Sequence, residues 1–341
     1  MQKYLITGGA GFIGINLANR LLSRGYDVTV FDNLSRKGSQ DNLNWLRLIH
    51  GNDSFQFIKA DIRDKDAVVK AVKDIQVIIH LAAQVAVTTS VQDPRLDFDI
   101  NALGTFNLLE AARQTNHYPI FLYASTNKVY GGMEDIKVIE KLNRYDYQDF
   151  PEGIDERVNL DFHSPYGCSK GCGDQYVRDF WRIYQIPTVV FRQSCIYGKR
   201  QFGVEDQGWV AWFVISTVKG YPLSIFGNGK QVRDLLYVDD LIDLYESAIN
   251  NIEICKGKVF NVGGGFNNSI SIWTEFSNII KNLKEEIPVP TFNNWRPGDQ
   301  KIYISNINKA KSMLHWEPNV SVPQGINLLY DWVVENQSLF A

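Results

Sequence analysis

The chain has 341 residues and 45% hydrophobic content, enough for one large domain or two moderate ones with a full core. Its 35 basic and 38 acidic residues are interspersed and leave a net charge of −3, so neither a nucleic-acid surface nor a polybasic membrane patch is expected. No apolar run approaches membrane-spanning length; the cysteines at 168, 172, 195 and 255 lack zinc-site spacing, and the histidines at 50, 80, 117, 163 and 315 form no ligand pair. The expectation is a cytoplasmic protein with reduced thiols, no membrane partner and no metal.

The first element is a strand, residues 4–7, that runs straight into Gly8-Gly9-Ala10-Gly11-Phe12-Ile13-Gly14. Glycines between a strand and a helix start let a pyrophosphate approach backbone N–H groups at the positive end of a helix. Gly8, Gly11 and Gly14, with Phe12 and Ile13 between them, are therefore candidate cofactor contacts. An amphipathic helix over 15–24 ends at Gly25, and a second strand over 27–31 terminates in Asp32, followed by Asn33. A carboxylate there accepts hydrogen bonds from the adenosine ribose and repels a 2′-phosphate, which favours NAD over NADP. Arg36 and Lys37 read as a solvated loop.

Further apolar runs at 55–60, 77–83, 120–125 and 188–193 alternate with helical patterns. This predicts an α/β fold, a Rossmann-type doubly wound parallel sheet, whose strand ends form the ligand crevice. Asp61 and Ile62, then Leu81, Ala82 and Ala83, then Asn101 are candidate cofactor residues. Asp61 reads either as an adenine contact or as the cap of a helix near Lys65. His80 reads as packed, without a catalytic role. Beyond residue 195 the pattern loosens into Gly-, Trp- and Arg-rich segments, which predicts a smaller C-terminal lobe. The expected division is 1–194 with 235–264 for the cofactor domain and 195–234 with 265–341 for the substrate lobe, with a cleft between.

Two segments carry the chemistry: Ser125-Thr126-Asn127-Lys128-Val129-Tyr130-Gly131 and Tyr166-Gly167-Cys168-Ser169-Lys170. Tyrosine and lysine four apart share one helix face, and an ammonium there lowers the phenol's pKa by favouring phenolate. Tyr166 is then the base for a sugar hydroxyl, with Lys170 also reaching the cofactor ribose and Thr126 holding the same oxygen.

These motifs, in this order, resemble the extended short-chain dehydrogenase/reductases that modify nucleotide sugars, over nearly the whole length. Asn101 at a helix head, Arg233-Asp234-Leu235-Leu236-Tyr237-Val238-Asp239-Asp240 and Asn261-Val262-Gly263-Gly264 belong to the same pattern. Residues 125–131, 160–171, 200–202 and 206–210 are most similar to epimerases that invert carbon 2 of CDP-linked sugars. The resemblance implies bound NAD taking a hydride from that carbon, Tyr166 receiving the hydroxyl proton, and hydride returning to the opposite face of a 2-keto sugar. It also implies a CDP-linked sugar substrate, a place in O-antigen sugar synthesis, and a homodimer or homotetramer.

Dehydratases of the family carry Asp-Glu after the threonine, and this chain has Asn127 and Lys128, which disfavours dehydration. A UDP-hexose 4-epimerase is the rival reading. Arg233 and Arg296 are candidates for clamping the substrate diphosphate, Gln207 and Trp209 for the nucleotide, and Gln84, Thr88, His163 and Ser194 for the sugar. Arg296 in a loop salt bridge and Trp209 in the core are the plain alternatives. Residues 132–161 read either as a flap over the sugar or as a passive surface excursion.

Overall fold

The computed structural model describes residues 2–296 and 299–340. The chain divides into two compact units, the first built from 1–129, 164–192 and 242–260, the second from 130–163, 193–241 and 261–341.

The first unit is built on a parallel sheet. Strands β1 (Lys3–Thr7), β2 (Asp27–Asp32), β3 (Gln56–Lys59), β4 (Val77–His80) and β5 (Ile120–Thr126) lie in the order β3, β2, β1, β4, β5. Strands Thr188–Gln193 and Lys258–Val262 extend it beyond β5 to seven. The apolar runs form strands because both faces of such a sheet are covered: Ile6 pairs in register with Val30 on one side and Ile79 on the other, and all three are buried. The covering helices are α1 (Phe12–Ser23), α2 (Ser39–His50), α3 (Lys65–Val72), α4 (Val87–Gln92), α5 (Pro94–Phe98), α6 (Gly104–Arg113) and α7 (Ser164–Tyr184), with a π-helical turn at Asp99–Leu103. Leu108 and Leu109 of α6 and Val177 and Phe180 of α7 join Leu5, Ile78 and Phe121 in one apolar cluster.

β4 is shorter than the apolar run suggested. It stops at His80, and Leu81–Ala83 leave the sheet as a partly exposed loop. The small side chains let this loop approach the glycine turn, where a Cβ on Gly8 would lie 2.7 Å from the Ala82 nitrogen.

The second unit has a mixed sheet around strand Val232–Tyr237, which pairs with Cys195–Tyr197, Ser269–Ser271 and Ile302–Tyr303. The buried Asp234 carboxylate ties it together by accepting from Ser194 Oγ at 2.5 Å and from the Ser305 and Gly265 amides. Residues 130–163 belong here, whereas the sequence-based division left them with the sheet domain. Their strands Val138–Glu140 and Tyr145–Tyr147 form a hairpin whose Tyr145 N–H donates to Lys230 O at 3.1 Å. Arg144 donates to Ser269 Oγ, Tyr147 to Ile302 O, and the Ile154 N–H to Ile304 O. The segment is bound along its length within this unit, which is not the anchorage of a free flap.

Two glycines separate steric from conformational constraint. A Cβ on Gly14 would lie 2.6 Å from Gly9 Cα and would also strike Gly8 O, while Gly25, at φ +78°, has open space around it. Gly14→Ala is expected to cost about 1–3 kcal/mol by forcing the cofactor turn apart, and Gly25→Ala only about 1–2 kcal/mol of left-handed strain. Urea denaturation measures both, and equal losses would contradict the steric account.

Candidate active site

The glycine turn and the end of β2 form one structure. Gly11 caps α1 and has no side chain of its own to occupy the leading amides of that helix. Asp32 is buried; its Oδ2 accepts from the Ala10 N–H at 3.0 Å and its Oδ1 from Leu34 N–H at 2.7 Å. Burial pushes its carboxyl up, and the amides of Leu34, Ala10 and Gly11 oppose that shift. Asp32 thus fixes the turn to the strand as well as presenting a carboxylate. Gly8 and Gly14 let the loop after β4 and the first turn of α1 close on the glycine turn, where a Cβ would meet backbone, and Gly11 starts the helix without a side chain, so the residues present fit a dinucleotide pyrophosphate.

Asp61 accepts both from Arg63, at 2.9 and 2.8 Å, and from Asn33 Nδ2 at 2.8 Å. The Arg63 bond is the main cause that holds its carboxyl down to about 2. Asp61 does not cap the next helix: Asp64 does, accepting from the Asp66 and Ala67 amides. Ile62 is buried in the core cluster, against α6 at Gly104.

Thr126 ends β5, and α7 begins at Ser164 with φ +66°. Tyr166, Lys170 and Asp174 follow at four-residue intervals on one buried face of α7. The Thr126 hydroxyl is hydrogen-bonded to the Tyr166 phenol. Burial pushes that phenol up to about 12; the Thr126 bond and the Arg36 charge lower it, and Asp97 raises it. Lys170 is driven the other way, down to about 7, by burial that Asp174 and Asp97 partly offset. Its Nζ donates to Ala124 O at 2.6 Å and sits 4.3 Å from the centre of the Tyr123 ring. The expectation that lysine lowers the phenol is therefore not met: the groups that lower Tyr166 are Thr126 and Arg36, not Lys170. Desolvation dominates both groups, and Lys170 spends its hydrogen bond on the carbonyl of Ala124.

Behind these residues lies a buried polar network that sequence reasoning did not find. His80, expected to be packed, lies between Thr7 Oγ1 at 2.7 Å and Thr105 Oγ1 at 2.9 Å. Thr105 spends its own proton on Asn101 O, so His80 Nε2 donates and its Nδ1 accepts from Thr7. Burial first, and the Lys170 charge second, keep this ring neutral. Asn101 and Gln84 are turned inward. Gln84 bonds Ala86 O and Asp97, and Asn101 bonds the Gln84 backbone, Asp97 and Ser169. Gln84, a candidate for the sugar, has its carboxamide committed to the protein. Asp97 and Asn101 stand four apart, a polar i,i+4 pair on an otherwise amphipathic stretch, and that spacing was the available signal. A second anchor is the buried ion pair of Asp174 with Arg192, to which Ser125 donates at 2.9 Å.

In the second unit Arg233 donates to Val232 O and Gln300 O, at 2.7 and 2.8 Å. Arg296 is in the loop ion pair that was its alternative reading, 2.8 Å from Asp206, with its guanidinium 3.7 Å from the Phe226 ring centre. Trp209 packs edge-on against Phe213 and Phe276, both buried, which agrees with the core reading. Gln207 pairs with Val204 across a tight turn, His163 is exposed, and Thr88, on α4 of the first unit, is half-buried. Among the described residues no cluster of three metal-ligating side chains occurs.

The Lys170 shift has a stability consequence. Its folded value, about 7, lies below its ordinary 10.5, so the unfolded chain binds more protons between those limits and stability rises with pH across them. Lys170→Met is expected to be more stable than wild type at about pH 6, on the order of 1–3 kcal/mol. That advantage should shrink toward pH 10.5, the ordinary lysine value, in thermal melts. A pH-independent difference would show that Lys170 is not desolvated as described.

Comparison with known proteins matches this architecture to one family. The GDP-mannose 4,6 dehydratase family profile covers residues 5–329. CDP-paratose 2-epimerase of Salmonella typhi is 47% identical over 97% of this chain and 99% of its own length. Among solved structures, UDP-glucose 4-epimerase of Thermotoga maritima with UDP-glucose has a TM-score of 0.84 at 30% identity, covering 98% of this chain and 100% of that one. UDP-glucuronic acid 4-epimerase of Bacillus cereus, in complex with UDP-glucuronic acid and NAD, has a TM-score of 0.82 at 30% identity over 98% and 99% of the two chains. With its doubly wound sheet, glycine turn and Thr126, Tyr166 and Lys170 in place, the chain belongs to the GDP-mannose 4,6-dehydratase family of extended short-chain dehydrogenase/reductases.

Proposed function

We propose that this isomerase inverts carbon 2 of a CDP-linked dideoxyhexose, taking CDP-paratose to CDP-tyvelose for O-antigen sugar synthesis. The observation that carries the reading is the 47% identity to CDP-paratose 2-epimerase across 97% of this chain and 99% of that one. Asn127 and Lys128 following Thr126 support it, since neither supplies the carboxylate pair of a dehydration. The 4-epimerases of similar fold favour one second reading, a UDP-hexose 4-epimerase.

NAD, when bound, supplies a hydride acceptor and a positively charged ring. Tyr166 takes the proton of the sugar hydroxyl as hydride leaves its carbon, and returns the proton when hydride comes back to the opposite face. Thr126, bonded to the phenol, orients that oxygen. Lys170 supplies positive charge on the same helix face. Asp32, Asn33, Asp61 and Ile62 with Leu81, Ala82 and Ala83 are the proposed dinucleotide residues at the strand ends, alongside Gly8, Gly11, Phe12, Ile13 and Gly14. Arg233 and Arg296 are the proposed diphosphate ligands, Arg296 on release from Asp206.

In deuterated buffer CDP-paratose is expected to invert at carbon 2 without gaining deuterium there, because the hydride never exchanges with solvent. Denaturing the protein should release NAD. Tyr166→Phe should lower kcat by about 10²–10⁴-fold. Inversion of UDP-glucose at carbon 4, with CDP-paratose unchanged, would favour the second reading, and deuterium at the inverted carbon would exclude the redox route.

Self-association is proposed on a separate observation. Phe98, Leu103, Phe106, Tyr176 and Ile183, on α5, the π-helical turn, α6 and α7, are 36–64% exposed, and Phe106 and Tyr176 touch edge-on. So much apolar surface on neighbouring helices suits a helical interface between two copies. Sedimentation should give a dimer or tetramer, and Phe106→Glu with Tyr176→Glu a monomer; a monomeric wild type at micromolar concentration would refute the interface.

A further inference from the structure

Asp97 is a fully buried carboxylate that the proton and hydride steps do not use. It ends up at the meeting point of three elements: its own helix α5, the loop after β4 and α7. Ser169 Oγ lies 2.5 Å from Asp97 Oδ2, while Asn101 Nδ2 and Gln84 Nε2 lie 3.1 and 3.2 Å from Oδ1. The two amides are oriented unambiguously. Asn101 Oδ1 accepts from the Gln84 N–H and Gln84 Oε1 from the Ala86 N–H, which leaves each NH₂ to donate. Asn101 also donates to Ser169 Oγ, at 3.1 Å, so the Ser169 proton goes to Asp97. Every neighbour is a donor, and only an ionised carboxylate satisfies them all.

We propose that Asp97 is a positioning residue of this site, whose buried negative charge draws Lys170 back toward the ammonium form against its burial and whose bond to Ser169 sets α7 between Tyr166 and Lys170. Ser169 is the residue next to Lys170, and its Oγ also faces Tyr166 O, so the turn carrying both side chains is tied to one carboxylate. The surroundings of Lys170 call for such a charge. On β4 His80 is neutral, on β5 the face of Tyr123 lies under Nζ, and on α7 Tyr166 is a neutral phenol and Asp174 is shared with Arg192. Arg36, after β2, adds a positive charge that acts on Tyr166. Asp174 first and Asp97 second raise Lys170 against its burial; Asp174 is paired with Arg192, and Asp97 is held by neutral donors alone. Burial pushes the Asp97 carboxyl itself up, and the Ser169 hydroxyl and the Lys170 charge pull it back.

The proposal rests on the redox reading above, in which Lys170 acts as a cation. Its primary test needs no substrate: the lysine resonances of protein labelled at ¹³Cε are titrated, and Lys170→Arg identifies the signal of Lys170. In Asp97→Asn, which keeps the volume and removes the charge, the Lys170 midpoint is expected to fall by roughly one pH unit. In Ser169→Ala, which keeps the carboxylate but removes its shortest bond, it should fall by less. In turnover of CDP-paratose both limbs of the pH profile should move to lower pH, because Asp97 raises Tyr166 as well as Lys170. A different nucleotide-sugar substrate would abolish the turnover arm and leave the resonance shift intact. An unmoved Lys170 midpoint in Asp97→Asn overturns the proposal, as it does in Ser169→Ala where Asp97→Asn does not fold. A fall in turnover with both pH limbs unmoved assigns Asp97 a structural role only and likewise overturns it.

Discussion

The geometry of this site depends on how one face of α7 is seated against the sheet. Asp174 of that helix and Arg192 of strand Thr188–Gln193 form an ion pair almost wholly removed from water, and Ser125 of β5 donates to the same carboxylate. Burying two charges costs several kcal/mol before their attraction is counted, so such a pair serves orientation better than net stability. Here it sets the rotation of α7 about its axis, and with it the direction of Lys170 and Tyr166, one and two turns earlier. Gly173 completes the seat: a Cβ there would lie 2.9 Å from Tyr123 Cζ, so only glycine lets the helix approach β5 this closely.

The same close seat creates the electrostatic difficulty of the site. Excluding water stabilises a neutral phenol and a neutral amine, which are the wrong protonation states for a base assisted by a cation. The chain counters with fixed groups in place of solvent: Thr126 bonded to the phenol, carboxylates near the amine, and a hydrogen-bonded run from Thr7 through His80 and Thr105 to Asn101. That run joins the end of β1, where the glycine turn begins, to the turn of α7 that holds the reacting side chains. Pre-arranged dipoles of this kind need no reorganisation when charge develops.

What could be read from the sequence follows from how local each signal is. The glycine turn, Asp32 and the Tyr166–Lys170 spacing lie within single elements, where side-chain period and backbone permission are written in adjacent residues. His80 between apolar neighbours was legible as packed for the same reason. Asp97, Asp174, Arg192 and the inward turn of Gln84 were not, because each depends on a partner from 13 to 18 positions away or further. The assignment of residues 130–163 failed for a related cause: neither the hairpin nor its place was read from the segment itself, and Lys230, Ser269 and Ile302, which say where it is held, lie far along the chain.

The sheet of the first unit is assembled from chain that is not contiguous, and this matters while the protein is being made. Strands β1 to β5 leave the ribosome in an unbroken run, but the strand that covers the β5 edge is Thr188–Gln193 and the last of the sheet is Lys258–Val262. Until those segments emerge, β5 presents an unpaired, strongly apolar edge, and Asp174 has no Arg192. A nascent chain paused before residue 188 therefore carries Tyr166 and Lys170 on a helix without its seat. Holding that edge away from other chains is a task the sequence leaves to its surroundings.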